Sequence, residues 1–189
     1  MAQAKFKIQN LKFKMRWKSK IFFVLILFSL FFPQRIYAES DYVLPYPSFM
    51  PGSLFYKLNL IKEEILKYWY FGDFGQFTYN LKQSDKYLVE AKTLFEYKQY
   101  LLGYQALKNS DKYFQRALPY LLRAKNEGKD IIQKQNKLKA AALKHIEVLG
   151  LIKQQIPRQF VWRPEKSFPT ILNLYNEVEK AIGIRKYVL

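Results

Sequence analysis

Residues 74 to 122 read FGQFTYNLKQSDKYLVEAKTLFEYKQYLLGYQALKNSDKYFQRALPYLL, and the spacing of apolar residues in this stretch decides the fold. Phe77, Leu81, Leu88, Ala91 and Phe95 recur at three, four and seven, the period that places side chains on one helix face. Leu102, Ala106, Phe114, Ala117 and Leu121 do the same in the second half. Two such faces joined by a short polar link near Lys98 predict an antiparallel hairpin. Gly103, Ala106, Ser110 and Ala117 share one edge of the second helix, where small side chains allow a neighbouring helix to come close. Glycine inside a helix costs about 1 kcal/mol relative to alanine, so Gly103 points to a contact that needs it.

Working outward, Ser53 is placed to cap a helix running to about Tyr70, in which Leu54, Leu58, Ile61, Ile65 and Trp69 form one stripe. Ahead of it, residues 39–52 hold Pro45, Pro47 and Pro51 among Tyr42, Tyr46, Phe49 and Met50, which predicts a stiff strap lying on the domain. Beyond the hairpin, Pro119 and Gly128 are breaker positions, and helical character resumes from Lys129 to about Gln155 with Ile131, Leu138, Ala142, Leu149 and Ile152 on one side. Residues 100–155 read equally as one long bent helix or as two. A connector with Pro157, Pro164 and Pro169 follows, anchored by Trp162. Ser167 then caps a last helix with Ile171, Leu174, Tyr175, Val178 and Ile182 in a stripe ending before Gly183, and Ile184 to Leu189 are expected to be frayed or lightly docked. No stretch alternates with period two for long enough to require a sheet. The expected class is all-α: a bundle of about four to five helices built on the central hairpin, with residues 53–189 as one domain.

Residues 1–38 carry eight Lys and Arg and no acid, and seven of those cations precede the apolar run Ile21 to Phe32. This is the three-part order of a secretory signal, and twelve helical residues rise only about 18 Å against a hydrocarbon core of about 30 Å. The reading is export, either with cleavage after Ala38 or with residues 21–32 retained as a signal anchor in contact with the membrane. The whole chain has 189 residues and a net charge of +17; removing the leader leaves 24 basic and 15 acidic residues, a net +9 that still favours anionic partners.

Chemistry-bearing constellations are sparse. The chain has no cysteine, which excludes disulfides, thiolate catalysis and thiolate-bound metals. His145 is the single histidine, too few for a histidine-based zinc site, and it reads as a surface or packing residue. Glu63 with Glu64, and Glu177 with Glu179, diverge on their helices, and no GxxxxGK loop is present. No catalytic, cofactor-binding or metal residues are assigned. The interaction candidate is the lysine-rich helix 129–153, with Lys134, Lys137, Lys139, Lys144 and Lys153 as contacts to an anionic surface such as lipid headgroups or wall polymer. Aromatics do not interleave with these lysines, which disfavours nucleic acid. A protein partner is left unspecified. The alternatives are an envelope enzyme acting on glycan or lipid through carboxylates that the fold brings together, or an exported nucleic-acid-binding protein, which would bind duplex with a steep salt dependence.

Pro51-Gly52-Ser53, Leu54-Phe55-Tyr56-Lys57-Leu58, the pair Glu63-Glu64, Tyr87-Leu88-Val89-Glu90-Ala91 and Ala106-Leu107 together resemble the domain-of-unknown-function family 5667 over roughly residues 44–118. That resemblance implies an exported or membrane-tethered bacterial helical domain and brings no known activity. Together these readings suggest an exported, non-catalytic helical module of the bacterial envelope.

Overall fold

The computed structural model describes residues 42–46, 50, 51 and 53–189. The leader and its cleavage site lie outside the described residues. Among the described residues five helices and one small ribbon follow in order: α1 (Leu54–Trp69), α2 (Gly72–Glu96), α3 (Tyr100–Asn126), α4 (Ile132–Gln155), β1 (Phe160–Trp162), β2 (Thr170–Leu172) and α5 (Leu174–Lys186). The class is all-α.

The hairpin forms as its periodicity requires. Phe77, Leu81, Leu88, Ala91 and Phe95 of α2 are buried, as are Ala106, Phe114, Ala117 and Leu121 of α3. The link is Tyr97 to Gln99, closed by Gln99 N–H donating to the Leu94 carbonyl at 2.8 Å, with Lys98 in the left-handed region at φ +59°. The small-residue edge includes a tight contact at Gly103. A β-carbon on Gly103 would stand 2.8 Å from ring atoms of the buried Phe95. Overpacking of a core costs about 1–3 kcal/mol, against about 1 kcal/mol of helix propensity gained. Gly103→Ala is therefore expected to lower stability by about 1 kcal/mol in urea unfolding, where an exposed helical glycine would show a gain.

Residues 100–155 form two helices. α3 runs through Pro119 without ending, and the break comes at Gly128, whose φ of +78° is open to glycine at no steric cost. Lys129 N–H closes that turn on the Ala124 carbonyl at 3.0 Å. α4 then buries Leu138, Ala142, Leu149 and Ile152.

The C-terminal region departs from expectation. The connector contains a two-stranded antiparallel ribbon pairing Phe160 with Leu172 and Trp162 with Thr170. Three-residue strands are too short to display a period of two. Ile171 therefore belongs to the ribbon, α5 begins after Asn173 instead of Ser167, and it continues through Gly183 to Lys186. Phe160, not Trp162, anchors the connector: its ring centroid lies 5.0 Å from that of Tyr100, while Trp162 is exposed. Nor is the tail lightly docked, because Arg185 is fully buried.

The first helix differs most. Ser53 caps it as expected, its Oγ accepting from Tyr56 N–H at 3.1 Å. Its apolar stripe, however, faces away from the bundle: Leu58 is 62% exposed, Ile61 60%, Ile65 62% and Trp69 75%. The opposite face holds the bundle through polar groups. Tyr56 Oη donates to Glu90 Oε1 at 3.0 Å, Lys86 Nζ donates to both oxygens of Glu63 at 2.6 and 2.8 Å, and Tyr79 Oη donates to the Glu63 carbonyl at 3.2 Å. Gln76 Nε2 adds a bond to the Tyr70 carbonyl at 2.7 Å. A hydrophobic stripe specifies a face that leaves water, not the body that covers it, and α2 presents charged and phenolic groups here.

Candidate functional site

Three features can be built up from the residues: a buried polar layer, an exposed apolar helix face and a lysine-lined groove. The polar layer comes from the hairpin itself. Leu81-Lys82-Gln83-Ser84-Asp85-Lys86-Tyr87 of α2 recurs in α3 as Leu107-Lys108-Asn109-Ser110-Asp111-Lys112-Tyr113, differing only at the third position. Antiparallel packing brings the two copies face to face. Ser84 Oγ donates to the Ser110 carbonyl at 3.0 Å, Ser110 Oγ donates to the Ser84 carbonyl at 2.9 Å, and Tyr87 stacks on Tyr113 at 5.6 Å between centroids.

The paired aspartates then reach outward to different helices. Asp85 Oδ1 meets His145 Nε2 of α4 at 2.8 Å, and its Oδ2 accepts from the Tyr42 hydroxyl of the strap at 2.6 Å. Asp111 accepts from Arg185 Nη1 of α5, and Arg185 Nη2 donates to Ser110 Oγ at 2.8 Å. The two halves join where Arg185 Nε donates to His145 Nδ1 at 3.4 Å. Apolar clusters lie on either side of the layer, Phe77, Leu81, Phe114 and Leu138 in one and Leu88, Leu107, Leu149 and Val178 in the other.

The bonding fixes the histidine chemically. A guanidinium only donates, so Nδ1 is the acceptor and Nε2 carries the proton given to Asp85. Burial holds the imidazole pKa below its usual value against the hydrogen bond to Asp85, with the charge of Arg185 adding a smaller push in the same downward direction. Here an arginine fills the position that a nucleophilic hydroxyl occupies in a catalytic triad, and the Ser84 and Ser110 hydroxyls are turned to backbone carbonyls. The layer therefore ties four helices and the strap together instead of presenting a base to solvent.

A pH dependence follows. The folded imidazole has a lowered pKa, so above about 6.5 both states are neutral and the fold keeps its full stability. Below that value the unfolded chain gains a proton that the buried ring does not, and stability falls by up to about 1.4 kcal/mol per pH unit until the folded pKa is reached. Glu90 and Asp111, raised by burial, act in the opposite sense: their contribution is present at low pH and is lost as pH rises through their folded values. The difference between the chain and His145→Gln isolates the imidazole. Calorimetry between about pH 7 and 5 should show a falling melting temperature that the substitution flattens.

The five lysines singled out on α4 do not form one face. Lys144 pairs with Glu147 at 2.8 Å, Lys153 pairs with Glu179 and covers the Tyr175 ring, and Lys134 sits 4.8 Å over the Phe74 ring. Lys139 is half-buried. Lys137 lines a groove of about 600 Å³ between the strap, α1 and α2, together with Lys62, Lys82 and Lys86. Two carboxylates also line this groove, and both are engaged: Glu63 by Lys86 and by Asn59 Nδ2 at 2.8 Å, Asp85 by His145 and Tyr42. A second groove of about 490 Å³ on the other side of α1 is lined by Arg116, Arg123, Tyr113 and Tyr120, with Glu64 its one carboxylate. Among the described residues no group of three or more acidic or histidine side chains is placed to hold a metal ion.

Comparison of the chain with protein-family models, with curated proteins and with solved structures found no match.

Proposed function

We propose that this protein is an exported, non-catalytic envelope module that lies on an anionic membrane surface through α1. The observation that carries the reading is the exposed stripe of Leu58, Ile61, Ile65 and Trp69, turned away from the domain to which the same helix is bonded. α1 is about 24 Å long, and helical geometry places Lys57 and Lys62 on the two margins of the stripe. An apolar face between lysines, with Tyr68 and Trp69 at one end, is the composition of a helix lying in the headgroup boundary. Among the described residues no helix is long and apolar enough to cross a membrane.

Charge favours lipid over a second copy of the chain. Apposing two such faces sets Lys57 and Lys62 against their counterparts, whereas anionic headgroups neutralise them. With residues 21–32 retained as a signal anchor, only residues 33–41 separate the apolar run ending at Phe32 from Tyr42, which is bonded to the domain.

The absence of cysteine permits a local test, since the full chain with Ile65→Cys carries a single environment-sensitive dye. Vesicles containing anionic lipid should shift its emission to the blue, and about 0.5 M salt, with a Debye length of only about 4 Å, should weaken that response several-fold. No shift with any vesicle, or a dimer that buries the labelled position without lipid, would overturn the proposal.

A further inference from the structure

The attachment of α1 differs in kind from that of the other helices. Its half-buried positions, Tyr56, Asn59, Glu63 and Leu66, recur at helical spacing on one face, with Tyr70 continuing the row just past its end. Leu66 is the one aliphatic side chain among them. Among the described residues no side chain of α1 is buried, and none joins either apolar cluster. The α2 groups that hold this face, Gln76, Tyr79, Lys86 and Glu90, are polar as well. Apolar burial, which secures the rest of the bundle, is therefore nearly missing here, and water competes for each bond that α1 makes. A segment held in this way opens at a free energy well below that of global unfolding.

The surface under α1 favours the same event. Glu90 is only 5% exposed; its Oε1 accepts from Tyr56, but its Oε2 meets no donor. Two turns earlier on the same face of α2, Gln83 Oε1 is sealed without a donor too. A buried acceptor left unpaired is unfavourable, and lifting α1 opens this face to water that can donate to both. A pivot exists at the far end of the helix. Phe71 is 81% exposed, Gly72 takes a φ of +66°, and Gln76 Nε2 donates to the Lys67 and Tyr70 carbonyls at 3.1 and 2.7 Å, which keeps the last turn of α1 beside α2. We infer that α1 is a hinged arm. It leaves the bundle as one unit about residues 70–72 while the other four helices stay folded, and its latch is the pair of contacts from Tyr56 to Glu90 and from Lys86 to Glu63.

The arm governs the membrane face proposed above and rests on that reading only for what the open arm meets. Sixteen residues make a marginal helix alone in water, so α1 loses its helix there when it lifts. In the headgroup boundary its apolar stripe keeps it helical, with the bundle tethered at the pivot.

Amide hydrogen exchange of the full chain without lipid, read by mass spectrometry of overlapping peptides, tests the opening. Residues 58–69 should exchange at least about a hundredfold faster than the hairpin segments 81–95 and 105–121, with one protection level across the arm. Tyr56→Phe takes the donor from Glu90 Oε1 and should speed exchange of α1 by about tenfold or more, leaving the hairpin unchanged. Lys86→Met, which strips the cation from Glu63, should do the same. Protection of α1 equal to that of the hairpin would overturn the arm. So would protection that climbs steadily from residue 58 toward the pivot, the mark of a fraying end, or variant effects shared by α1 and the hairpin. Anionic vesicles keep the two ideas apart. Fast exchange of α1 in buffer that vesicles do not slow leaves the arm and removes docking, whereas a well-protected α1 in buffer with a blue shift of the dye-labelled Ile65→Cys chain removes the arm and leaves docking.

Discussion

Arg185→Met should lower the unfolding free energy by about 3–5 kcal/mol, the loss seen when one partner of a buried ion pair is removed. Arg185 is fully buried near the very end of the chain, and it is the donor to Asp111, to Ser110 Oγ and to His145 Nδ1. Without it, Asp111 remains in the interior with only the weaker pull of Lys180 to favour its charge. Its Oδ2 already lacks a partner, and the lost guanidinium would leave Oδ1 bare as well. Domains of this size hold only about 5–15 kcal/mol, so the variant should unfold at markedly lower urea concentration. Replacing the pair together, Arg185→Met with Asp111→Leu, should recover much of the loss, because two apolar groups leave no orphan. A single-variant loss below about 1 kcal/mol would mean that the layer is not sealed from water.

The second large effect concerns binding and should leave the fold alone. Leu58→Glu/Ile65→Glu changes two exposed residues, and such substitutions usually alter stability by no more than about 0.5 kcal/mol each. On a membrane the same two side chains contribute about 1.5–3 kcal/mol each when buried. Their loss, with two carboxylates added against an anionic surface, should reduce partition of the α1 face by about a hundredfold or more. Titrating the emission of Trp69 with anionic vesicles, in a chain carrying Trp17→Phe and Trp162→Phe, measures this face separately from the basic leader. Equal responses with and without the two glutamates would sink the docking account.

The hairpin is legible because its stripe is long and its members are unambiguous: Phe77, Leu81, Leu88 and Ala91 on one side, Ala106, Phe114, Ala117 and Leu121 on the other. Gly103 is legible too, since a glycine within a strong helix needs a reason, and the ring of Phe95 is that reason. The polar layer escapes a reading by apolar period alone, although its signal is in the chain. Ser84 with Asp85, and Ser110 with Asp111, interrupt the two buried stripes at matching points within a nearly repeated seven-residue segment. Polar residues at core positions, twice and in register, announce a buried network. Its outer partners, His145 and Arg185, cannot be assigned from spacing, because they come from helices whose packing direction the pattern leaves open. The lysines of α4 are divided by local pairing: Glu147 and Glu179 neutralise Lys144 and Lys153, while Lys137 lines a groove with lysines from other helices. On α1 the period identifies the stripe but not what covers it, since the bundle holds the opposite, polar face.

The most direct measurement of the central claim is the depth of Trp69 in a bilayer, read by quenching with lipids brominated at graded positions along the acyl chain, in the chain with Trp17 and Trp162 replaced by phenylalanine. A helix lying in the boundary places the ring about 5–10 Å into the headgroup and upper acyl region, so the shallowest bromines should quench it most and deep ones little. Emission that stays red and unquenched by bromine at every depth would contradict the account.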